Sequence, residues 1–459
     1  MRGNNAFPTP AYERQHRWEN YSSELAIEKQ QCREEGKDIS GFERLFDAIG
    51  EMAASAEKAR LADGLFEMVY HAPWREGCAY REPSDLMAIR TLRAESAGQV
   101  ARAPERARLA RRIAGAWYGR IAGCLLGKPI EGIRTNELHP FLMESGNWPL
   151  KRYILSGDVT GERQEKYKYP FHTSAMVDQL ACAPADDDTN YTVLAQALVE
   201  RYGRDFTPEH VGRQWLAMQP KDAYCTAERV AYVNLVRGFQ PPDTAVYENP
   251  YREWIGAQIR GDYFGYINPG NPAMAAEMAW RDAVVSHVKN GIYGEMFIAA
   301  MLAVAAVEDD MTRIVEKGMA EIPKTSRLYE AMNTVLADYR AGVSKDAAFD
   351  KIHAAYDEYS AHGWCHVIPN AMIVAASLLY GRGDYALSVC MAVETGFDTD
   401  CNGATVGSIV GMAGGIEAIP AYWTKPINGK LCTTLFGMPC VSVEELVQKT
   451  LSHLPANRE

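Results

Sequence analysis

One stretch of the chain decides the fold: Gly115-Ala-Trp-Tyr-Gly-Arg-Ile-Ala-Gly-Cys-Leu-Leu-Gly-Lys-Pro-Ile-Glu-Gly132. Glycine recurs at every fourth position, at 115, 119, 123 and 127. On a helix these positions share one face, and glycine leaves that face flat enough for another backbone to pack closely against it. Pro129 then ends the helix, because its ring and its missing N–H do not fit a helix interior. Glu131 follows on the loop, where it is either an ordinary surface carboxylate or a functional one.

Outward from this stretch, helical periodicity covers most of the chain. Apolar residues recur three and four positions apart over residues 193–198, 298–305 and 373–378. Gly203 follows the first of these stripes and suits the position just past a helix C-terminus. Alternating β-branched runs bounded by turn residues are nearly absent. The sequence therefore predicts an all-α fold.

The first 105 residues form a more polar region, also helical in pattern, with breaks at residues 71–75 and 82–85. Ser84 or Asp85 suits the N-cap of a helix that follows the second break. The basic residues 102–112 mark a boundary, which we interpret as a solvated amphipathic helix joining two parts. We expect a helical N-terminal extension of residues 1–105 and a main domain of residues 106–459.

The chain has 459 residues, of which 47% are hydrophobic, and its net charge is -11. This composition is that of a soluble globular protein, and the acidic balance argues against binding to a nucleic-acid backbone. The longest apolar run, residues 296–307, is too short to span a bilayer and predicts a buried core helix. The start lacks the pattern of a secretory signal, and the ten cysteines include no C-x-x-C pair. We expect a cytoplasmic protein without a membrane partner; the sequence sets no oligomeric state.

The most informative motif is Pro184-Ala-Asp-Asp-Asp-Thr189, which leads into a predicted helix over residues 190–202. A helix N-terminus uses one Asp or Thr as its cap and tolerates some extra negative charge. Three consecutive carboxylates exceed that need and repel one another unless a cation lies among them. The motif is thus either a solvated acidic cap or part of a metal site.

A second acidic motif, Gly396-Phe-Asp-Thr-Asp-Cys-Asn-Gly403, favours the metal site. It places Asp398 and Asp400 at the start of another predicted helix, residues 404–412, which is rich in small residues. Two carboxylate groups far apart in sequence, each on a turn entering a helix, suit a cation bound by oxygen ligands. Without a convincing histidine set, these donors favour Mg²⁺, Mn²⁺ or Ca²⁺ over zinc. The number of carboxylates allows two metal ions.

Together the three motifs resemble the ADP-ribosylglycohydrolase family, which includes the dinitrogenase reductase-activating glycohydrolases. The family has a glycine-spaced first helix ending near a Glu, then a T/D-D-D-T string, then G-G-D-T-D-T late in the chain. Here the motifs lie at residues 119–131, 186–189 and 396–401, in that order. The resemblance covers residues 111–420. It implies a multi-helix orthogonal bundle as the catalytic domain and hydrolysis of a ribosyl glycosidic bond.

The resemblance also implies a site for two Mg²⁺ ions, at which Mn²⁺ can substitute. The implied metal ligands are Asp186, Asp187, Asp188, Asp398, Asp400 and Cys401, with Asp400 as the bridging ligand. Glu131 matches the family's acid–base glutamate, and Asp187 and Asp400 are further candidate catalytic residues. Asp186 and Cys401 stand where the family has threonine. A thiol is a poor, soft ligand for Mg²⁺, whereas Asp186 adds a hard oxygen.

Three segments are candidates for substrate binding. Residues 286–295 resemble the family's histidine-containing segment, and residues 264–272 lie where the family has the loop that holds the phosphate and adenosine side. That loop has two prolines here, so it offers fewer backbone N–H groups to a diphosphate. Residues 364–369 provide a tryptophan that can stack on a base, although His287 and Trp364 also suit purely structural roles. The candidate contact residues are His287, Asn290, Gly291, Tyr293, Phe264, Asn268, Gly270, Asn271, Trp364 and His366.

Three functions remain open from the sequence. The first is removal of ADP-ribose from a modified protein or small acceptor, and the second is hydrolysis of a nucleoside or another small ribosyl metabolite. The third is a non-catalytic binder of an ADP-ribose-like ligand, which is favoured by Cys401, a poor metal ligand, at a position of the metal site. The N-terminal extension would favour the second function if it covered the cleft, and residues 71–80 are the candidate lid.

Overall fold

The computed structural model describes residues 10–93, 100–101, 104–169 and 171–455. The predicted all-α fold is confirmed, because helices dominate the described residues and the one sheet has two short strands. Within these residues, no helix is both long enough and apolar enough to cross a membrane. Residues 1–9, on which the prediction about a secretory signal rests, and residues 102–103 of the predicted boundary lie outside the described part of the chain.

The α-helices are α1 (Leu25–Glu34), α2 (Glu43–Gly50), α3 (Ala56–Tyr70), α4 (Leu86–Leu92), α5 (Arg106–Gly127), α6 (Thr135–Glu144), α7 (Gly161–Tyr167), α8 (Asp187–Tyr202), α9 (Pro208–Met218), α10 (Thr226–Val236), α11 (Asp243–Val246), α12 (Asp262–Tyr266), α13 (Pro272–Ala283), α14 (Lys289–Ala305), α15 (Met311–Met319), α16 (Arg327–Arg340), α17 (Lys345–Ala355), α18 (Val367–Gly381), α19 (Tyr385–Glu394), α20 (Thr399–Gly414), α21 (Ala421–Thr424) and α22 (Val443–Ser452). Short 3₁₀ helices include Lys128–Ile130, Gln258–Arg260 and Gly363–Cys365. The strands β1 (Lys430–Cys432) and β2 (Cys440–Ser442) pair antiparallel.

The predicted glycine face packs α5 against α20 at backbone distance. A Cβ added at Gly115 or at Gly119 would lie 2.1 Å from the carbonyl oxygen of Gly411 or of Gly407, respectively. A Cβ at Gly123 would lie 2.0 Å from the carbonyl oxygen of Gly403. The glycine numbers rise along α5 as they fall along α20, so the two helices are antiparallel. The end of α5 therefore lies beside the start of α20.

Several predicted helix ends agree with the structure. Asp85 is the N-cap of α4, since its carboxylate accepts a hydrogen bond from Ala88 N at 2.9 Å. Gly203 follows α8 with a positive φ of 73°. The predicted helices over residues 190–202 and 404–412 both begin earlier, at Asp187 and Thr399, so the acidic motifs form their first turns. The sequence prediction missed the hairpin of β1 and β2, because three-residue strands are too short to show an alternating pattern.

The N-terminal extension has a small core of its own, formed by nine buried residues: Tyr21, Leu25, Cys32, Ile39, Phe46, Ile49, Ala62, Leu65 and Val69. The division at residue 105 stays a prediction; buried ion pairs of Glu28, Glu35 and Glu82 join the first part of the chain to the later part, and Glu253 of the later part shares Arg327 with Glu82. Arg252 pairs with Glu28 at 2.7 Å and with Glu35 at 2.6 Å. Arg327 pairs with Glu82 at 2.8 Å and with Glu253 at 2.7 Å. We call this set, together with Lys289, which pairs with Glu35 at 2.9 Å, the docking cluster.

Candidate metal centre and active site

The two acidic motifs meet where α5, α8 and α20 come together. Gly127, the last residue of α5, lies so close to α20 that a Cβ there would be 2.3 Å from the carbonyl carbon of Thr399. The chain then runs through Lys128 to Glu131, which brings both side chains to the start of α20. Asp186 caps α8 by accepting a hydrogen bond from Asp188 N at 3.0 Å. We call Glu131, Asp186, Asp187, Asp188, Asp398 and Asp400 the carboxylate cluster.

Lys128 joins carboxylates from all three segments. Its Nζ lies 2.7 Å from Glu131 Oε2, 2.8 Å from Asp186 Oδ2 and 3.0 Å from Asp400 Oδ2. Burial alone would lower the pKa of Lys128, but the surrounding carboxylates, Asp186 foremost, raise it well above its ordinary value. The ammonium therefore stays charged within the cluster.

Asp188 contacts a fully buried arginine. Arg120, on α5, donates to the Asp188 backbone oxygen at 2.7 Å and to its carboxylate at 3.2 Å. The same guanidinium lies 2.9 Å from the carboxylate of Asp262. One arginine thus serves two carboxylates and cannot fully balance the charge of Asp188.

The turn that carries Asp398 has unusual backbone geometry. Gly396 and Phe397 both have positive φ angles, of 78° and 55°, and the second is uncommon for a residue with a side chain. Asn370 stabilises the turn, because its amide oxygen accepts hydrogen bonds from Asp398 N at 3.2 Å and from Asn402 Nδ2 at 2.8 Å. Cys365 donates its thiol proton to Asp398 Oδ2 at 3.2 Å. Only one oxygen of Asp398 is thereby used.

Within the carboxylate cluster, three buried carboxylate oxygens have no hydrogen-bond partner among the described residues: Asp188 Oδ2, Asp398 Oδ1 and Asp400 Oδ1. Their residues are 0%, 3% and 1% exposed. Burying an anionic oxygen without a partner is costly. Accordingly, burial and the negative charge of Asp400 raise the pKa of Asp398 well above its ordinary value. Burial likewise raises the pKa of Asp188, although Arg120 opposes the shift.

The residues fit a hard divalent cation. Carboxylate oxygens of Glu131, Asp398 and Asp400 lie within 4.8 Å of one another, as do ligand atoms of Asp188, Asp400 and Cys401. Six carboxylates face two cationic side chains, Lys128 and the shared Arg120, so negative charge is in excess. A cation beside the unpartnered oxygens would satisfy them and relieve the repulsion.

Comparison with known proteins shows the family of the chain. The sequence model of the ADP-ribosylglycohydrolase family matches residues 105–454. The chain belongs to this family. A solved structure described as an ADP-ribosylglycohydrolase-related protein complex aligns with 75% of this chain and 97% of its own, at 17% identity and a TM-score of 0.44. No curated protein sequence matches the chain.

The structure brings together the metal-ligand candidates that the resemblance to the ADP-ribosylglycohydrolases implied. Asp186, Asp188, Asp398 and Asp400 are buried in the cluster, and Cys401 is 6% exposed beside it. Asp187 is more open to solvent, and burial together with Asp186 raises its pKa to about 6. Their roles as ligands remain predictions.

Glu131 lies at the solvent edge of the cluster, with its side chain 25% exposed. Burial and Asp400 raise the pKa of Glu131 well above its ordinary value, although Lys128 opposes them. His172 Nε2 lies 3.6 Å from Glu131 Oε2 on the outer side. The carboxyl group that the ADP-ribosylglycohydrolase resemblance assigns to acid–base chemistry therefore combines solvent access with a raised pKa.

The substrate-binding candidates on residues 286–295 lie beside the docking cluster. Asn290 is fully buried and bonds Glu253 through its backbone N at 3.0 Å and its Nδ2 at 2.8 Å. His287 is fully buried, with Nδ1 2.8 Å from Ser286 Oγ. A Cβ at Gly291 would lie 2.7 Å from the Arg252 oxygen, and Tyr293 donates to Pro83 O at 2.5 Å. A substrate role for these residues remains a prediction.

The candidates on residues 264–272 are used by the fold. Phe264 packs on Phe206 with ring centroids 5.4 Å apart. Asn268 is buried and donates to Phe264 O at 2.8 Å. Gly270 N donates to Ala303 O at 2.7 Å, and Asn271 caps α13. The N–H of Gly270, which a diphosphate would need, is already engaged.

The candidates on residues 364–369 lie next to the cluster. Trp364 is partly exposed, and the guanidinium of Arg134 stacks on its ring at 4.5 Å. His366 is buried, caps α18, and has Nε2 3.7 Å from Glu34 of the extension. Cys365 between them contacts Asp398. Of the substrate-binding candidates, Trp364 is therefore both near the carboxylates and open to solvent.

The sequence prediction missed Lys128, Arg120, Cys365 and Asn370. Arg120 could have been found because it is a charged residue on a helix whose other residues suit close packing. Such a residue needs a buried partner of opposite charge. Lys128 directly follows Gly127, the last glycine of the same helix. The glycine spacing predicts a close packing partner, and Lys128 would therefore lie near that partner. Cys365 and Asn370 carry no comparable signal.

Proposed function

We propose that this chain is a Mg²⁺-dependent glycosidase that hydrolyses a ribosyl bond, with ADP-ribosylated molecules as its substrates. The observation that carries the proposal is the set of unpartnered buried oxygens on Asp188, Asp398 and Asp400, directly beside the solvent-accessible Glu131. Membership of a glycohydrolase family supports the reaction class. Mn²⁺, which prefers the same donors, is expected to substitute.

Asp188, Asp398 and Asp400 would hold the cation. When bound, it would supply positive charge that anchors ribose hydroxyls and polarises a bound water. Hydrolysis at an anomeric carbon passes through an oxocarbenium-like state, so a correctly held water and a proton acceptor are needed. Asp187, at the opening of the cluster, can hold that water by accepting its hydrogen bond.

Glu131 is the proposed acid–base residue. Its raised pKa means that it takes up a proton more readily than an ordinary glutamate does. Lys128 and His172 flank its carboxylate, so proton transfer takes place at the outer edge of the cluster. Trp364 and Arg134 form a flat, cationic wall nearby that suits an aromatic base or a phosphate.

Hydrolysis of a nucleoside or another small ribosyl metabolite is the second candidate. The observation that favours it is the engaged backbone of residues 264–272, where Gly270 N already bonds Ala303 O. A diphosphate would find fewer free N–H donors there.

The test combines binding and turnover in the full chain. Metal-stripped protein is titrated calorimetrically with ADP-ribose and with ribonucleosides, with and without Mg²⁺. Hydrolysis of ADP-ribosylated arginine and of ribonucleosides is then compared between the native chain and the double variant Asp188→Asn with Asp398→Asn. We expect the double variant to lose more than about 100-fold in rate, because several kcal/mol of transition-state stabilisation depend on the cation.

The matched control is Asp346→Asn on α17, whose carboxylate is 85% exposed. It should keep full activity. Mg²⁺-dependent binding of ribonucleosides alone would favour the second candidate. Unchanged hydrolysis in the double variant would refute the metal-dependent mechanism, and ligand binding without any turnover would favour a non-catalytic binder.

A further inference from the structure

The two oxygens of Asp400 serve different environments. Oδ2 lies 3.0 Å from the ammonium of Lys128, whereas Oδ1 is buried without a hydrogen-bond partner within the described residues. Asp400 is the residue that the family resemblance makes the bridge between two Mg²⁺ ions. In this chain, one oxygen of Asp400 contacts the ammonium of Lys128, and the other is one of the unpartnered oxygens of the carboxylate cluster.

The ammonium already satisfies the carboxylates on its side. It has three N–H donors, and Glu131, Asp186 and Asp400 lie at 2.7, 2.8 and 3.0 Å from its nitrogen. Asp186 adds the negative charge that this arrangement uses. A divalent ion at the same place would compete for the same oxygens and would be repelled by the ammonium at close range.

On the other side, Asp188, Asp398 and Asp400 offer unpartnered oxygens. All three residues are at least nine-tenths buried. Ligand atoms of Asp188, Asp400 and Cys401 lie within 4.8 Å of one another, and those of Asp398 and Asp400 do so together with Glu131. A hard cation beside Asp400 is therefore close to the starts of both α8 and α20. The cluster therefore divides into a lysine-bound half and a cation-binding half, with Asp400 shared.

We propose that the ammonium of Lys128 permanently takes the place of one of the two metal ions, so that this chain binds a single divalent cation. The inference rests on the metal dependence in the proposed function. It explains how the site retains charge balance with Asp186 and Cys401 in place of two hydroxyl ligands, because a second ion is not required. Lys128 is a positioning residue, which fixes Glu131 and Asp400 relative to the cation.

The test counts ions without substrate. The metal-stripped full chain is titrated with Mn²⁺, and bound ions are counted by electron paramagnetic resonance and by calorimetry. We expect one ion per native chain and two per Lys128→Met chain, since the variant frees three carboxylates. Lys128→Arg keeps the cationic charge and should still bind one ion. Lys351→Met, which removes an exposed lysine paired with Asp338, is the control and should bind one ion.

A second pair of variants tests the division with Lys128 in place. Asp398→Asn, in the cation-binding half, should weaken Mn²⁺ binding more than about 10-fold because it removes a ligand. Glu131→Gln, in the lysine-bound half, should change it less than about 3-fold because Glu131 is not a ligand of the remaining ion. Similar losses from both variants would overturn the division.

Two ions on the native chain, no ion on the native chain, or one ion on folded Lys128→Met protein would each overturn the inference. One ion on the native chain and two on Lys128→Met would support it, even if neither protein hydrolysed a ribosyl bond. In that case the proposed function would fail separately.

Discussion

The carboxylate cluster and the docking cluster are both buried and both highly charged, yet their charges are arranged in opposite ways. In the docking cluster, four carboxylates face three basic side chains, and each of the carboxylates, Glu28, Glu35, Glu82 and Glu253, has a basic partner at 2.9 Å or less. In the carboxylate cluster, negative charges exceed positive ones and three oxygens lack partners within the described residues. Carboxylates that each have a close basic partner suit a contact between two parts of a chain. Buried carboxylate oxygens without a partner suit a site for a cation.

The two regions also differ in how close they bring their backbones. The docking cluster joins the extension to the main domain through long side chains. The carboxylate cluster depends on α5 and α20 being in backbone contact, which places Lys128 and Glu131 against Asp400. Small backbone shifts should therefore affect the carboxylate cluster far more than the docking cluster.

The largest expected effect comes from Gly123→Ala, which breaks the backbone contact. Its Cβ would lie 2.0 Å from the carbonyl oxygen of Gly403, and a buried backbone cannot retreat as a side chain can. We expect a loss of at least about 4 kcal/mol in the free energy of unfolding, together with loss of metal binding. Urea unfolding and Mn²⁺ titration measure the two effects.

The control for that prediction is Gly64→Ala in α3, where nothing lies within 4 Å of the added Cβ. It should stabilise by about 0.5–1 kcal/mol, because alanine favours a helix more than glycine does. Equal stability of the two variants would contradict the close contact of α5 and α20.

The second-largest effect is expected from a variant that weakens the docking cluster. Glu253→Gln leaves Arg327 with a weaker partner at a fully buried position, and it also disturbs the hydrogen bonds from Asn290 and Gln31. We expect a loss of about 3 kcal/mol, the usual scale for removing one member of a buried pair. Thermal and urea unfolding measure it, and Mn²⁺ affinity should stay the same. A loss of Mn²⁺ affinity would show that the two clusters are not independent.

The docking cluster should also weaken in acid. Burial alone would raise the pKa of Glu35, but Arg252 and Lys289 lower it to about 2. A lowered carboxyl pKa contributes stability that is present above the unfolded pKa of 4.5 and is lost as pH falls toward 2. Between pH 7 and pH 3, the native chain should lose about 2 kcal/mol more than Glu35→Gln does. Parallel pH profiles for the two proteins would contradict this pairing.

The smallest effect has the opposite sign. In metal-stripped protein, Asp398→Asn removes a buried carboxyl group that Asp400 repels, so it should stabilise by about 1 kcal/mol. On addition of Mg²⁺ the native chain should gain thermal stability and the variant should not, because only the native chain retains the ligand. A destabilised metal-free variant would indicate that the carboxylate cluster is balanced without a cation.

The sequence predicted more of the metal centre than of the substrate site. The acidic motifs and Glu131 could be found because they lie on turns at helix starts, where local spacing reports their position. The contact of α5 with α20 was predicted in part. The glycines of α5 predicted a close helix contact, but they did not identify the partner helix, which lies more than 270 residues away.

The burial of residues 286–293 could not be read from the sequence. It depends on how Arg252 and Lys289 meet Glu28 and Glu35 of the extension, and such long-range ion pairs leave no local pattern. Residues 71–80, the candidate lid, illustrate the same point. They contact the extension itself through Gly36, Lys37 and Asp38, and Tyr80 bonds Glu330 of α16. Their role as a lid remains a prediction.

The separation of the acidic motifs along the chain has a consequence for protein synthesis. Asp186 to Asp188 leave the ribosome about two hundred residues before Asp398 and Asp400, and the glycines of α5 precede their partners on α20 by nearly three hundred residues. A nascent chain that ends before α20 therefore presents Asp186, Asp187 and Asp188 without the turn that completes the site. Under the proposed function, the complete site can take up its cation only after the turn with Asp398 and Asp400 has emerged from the exit tunnel.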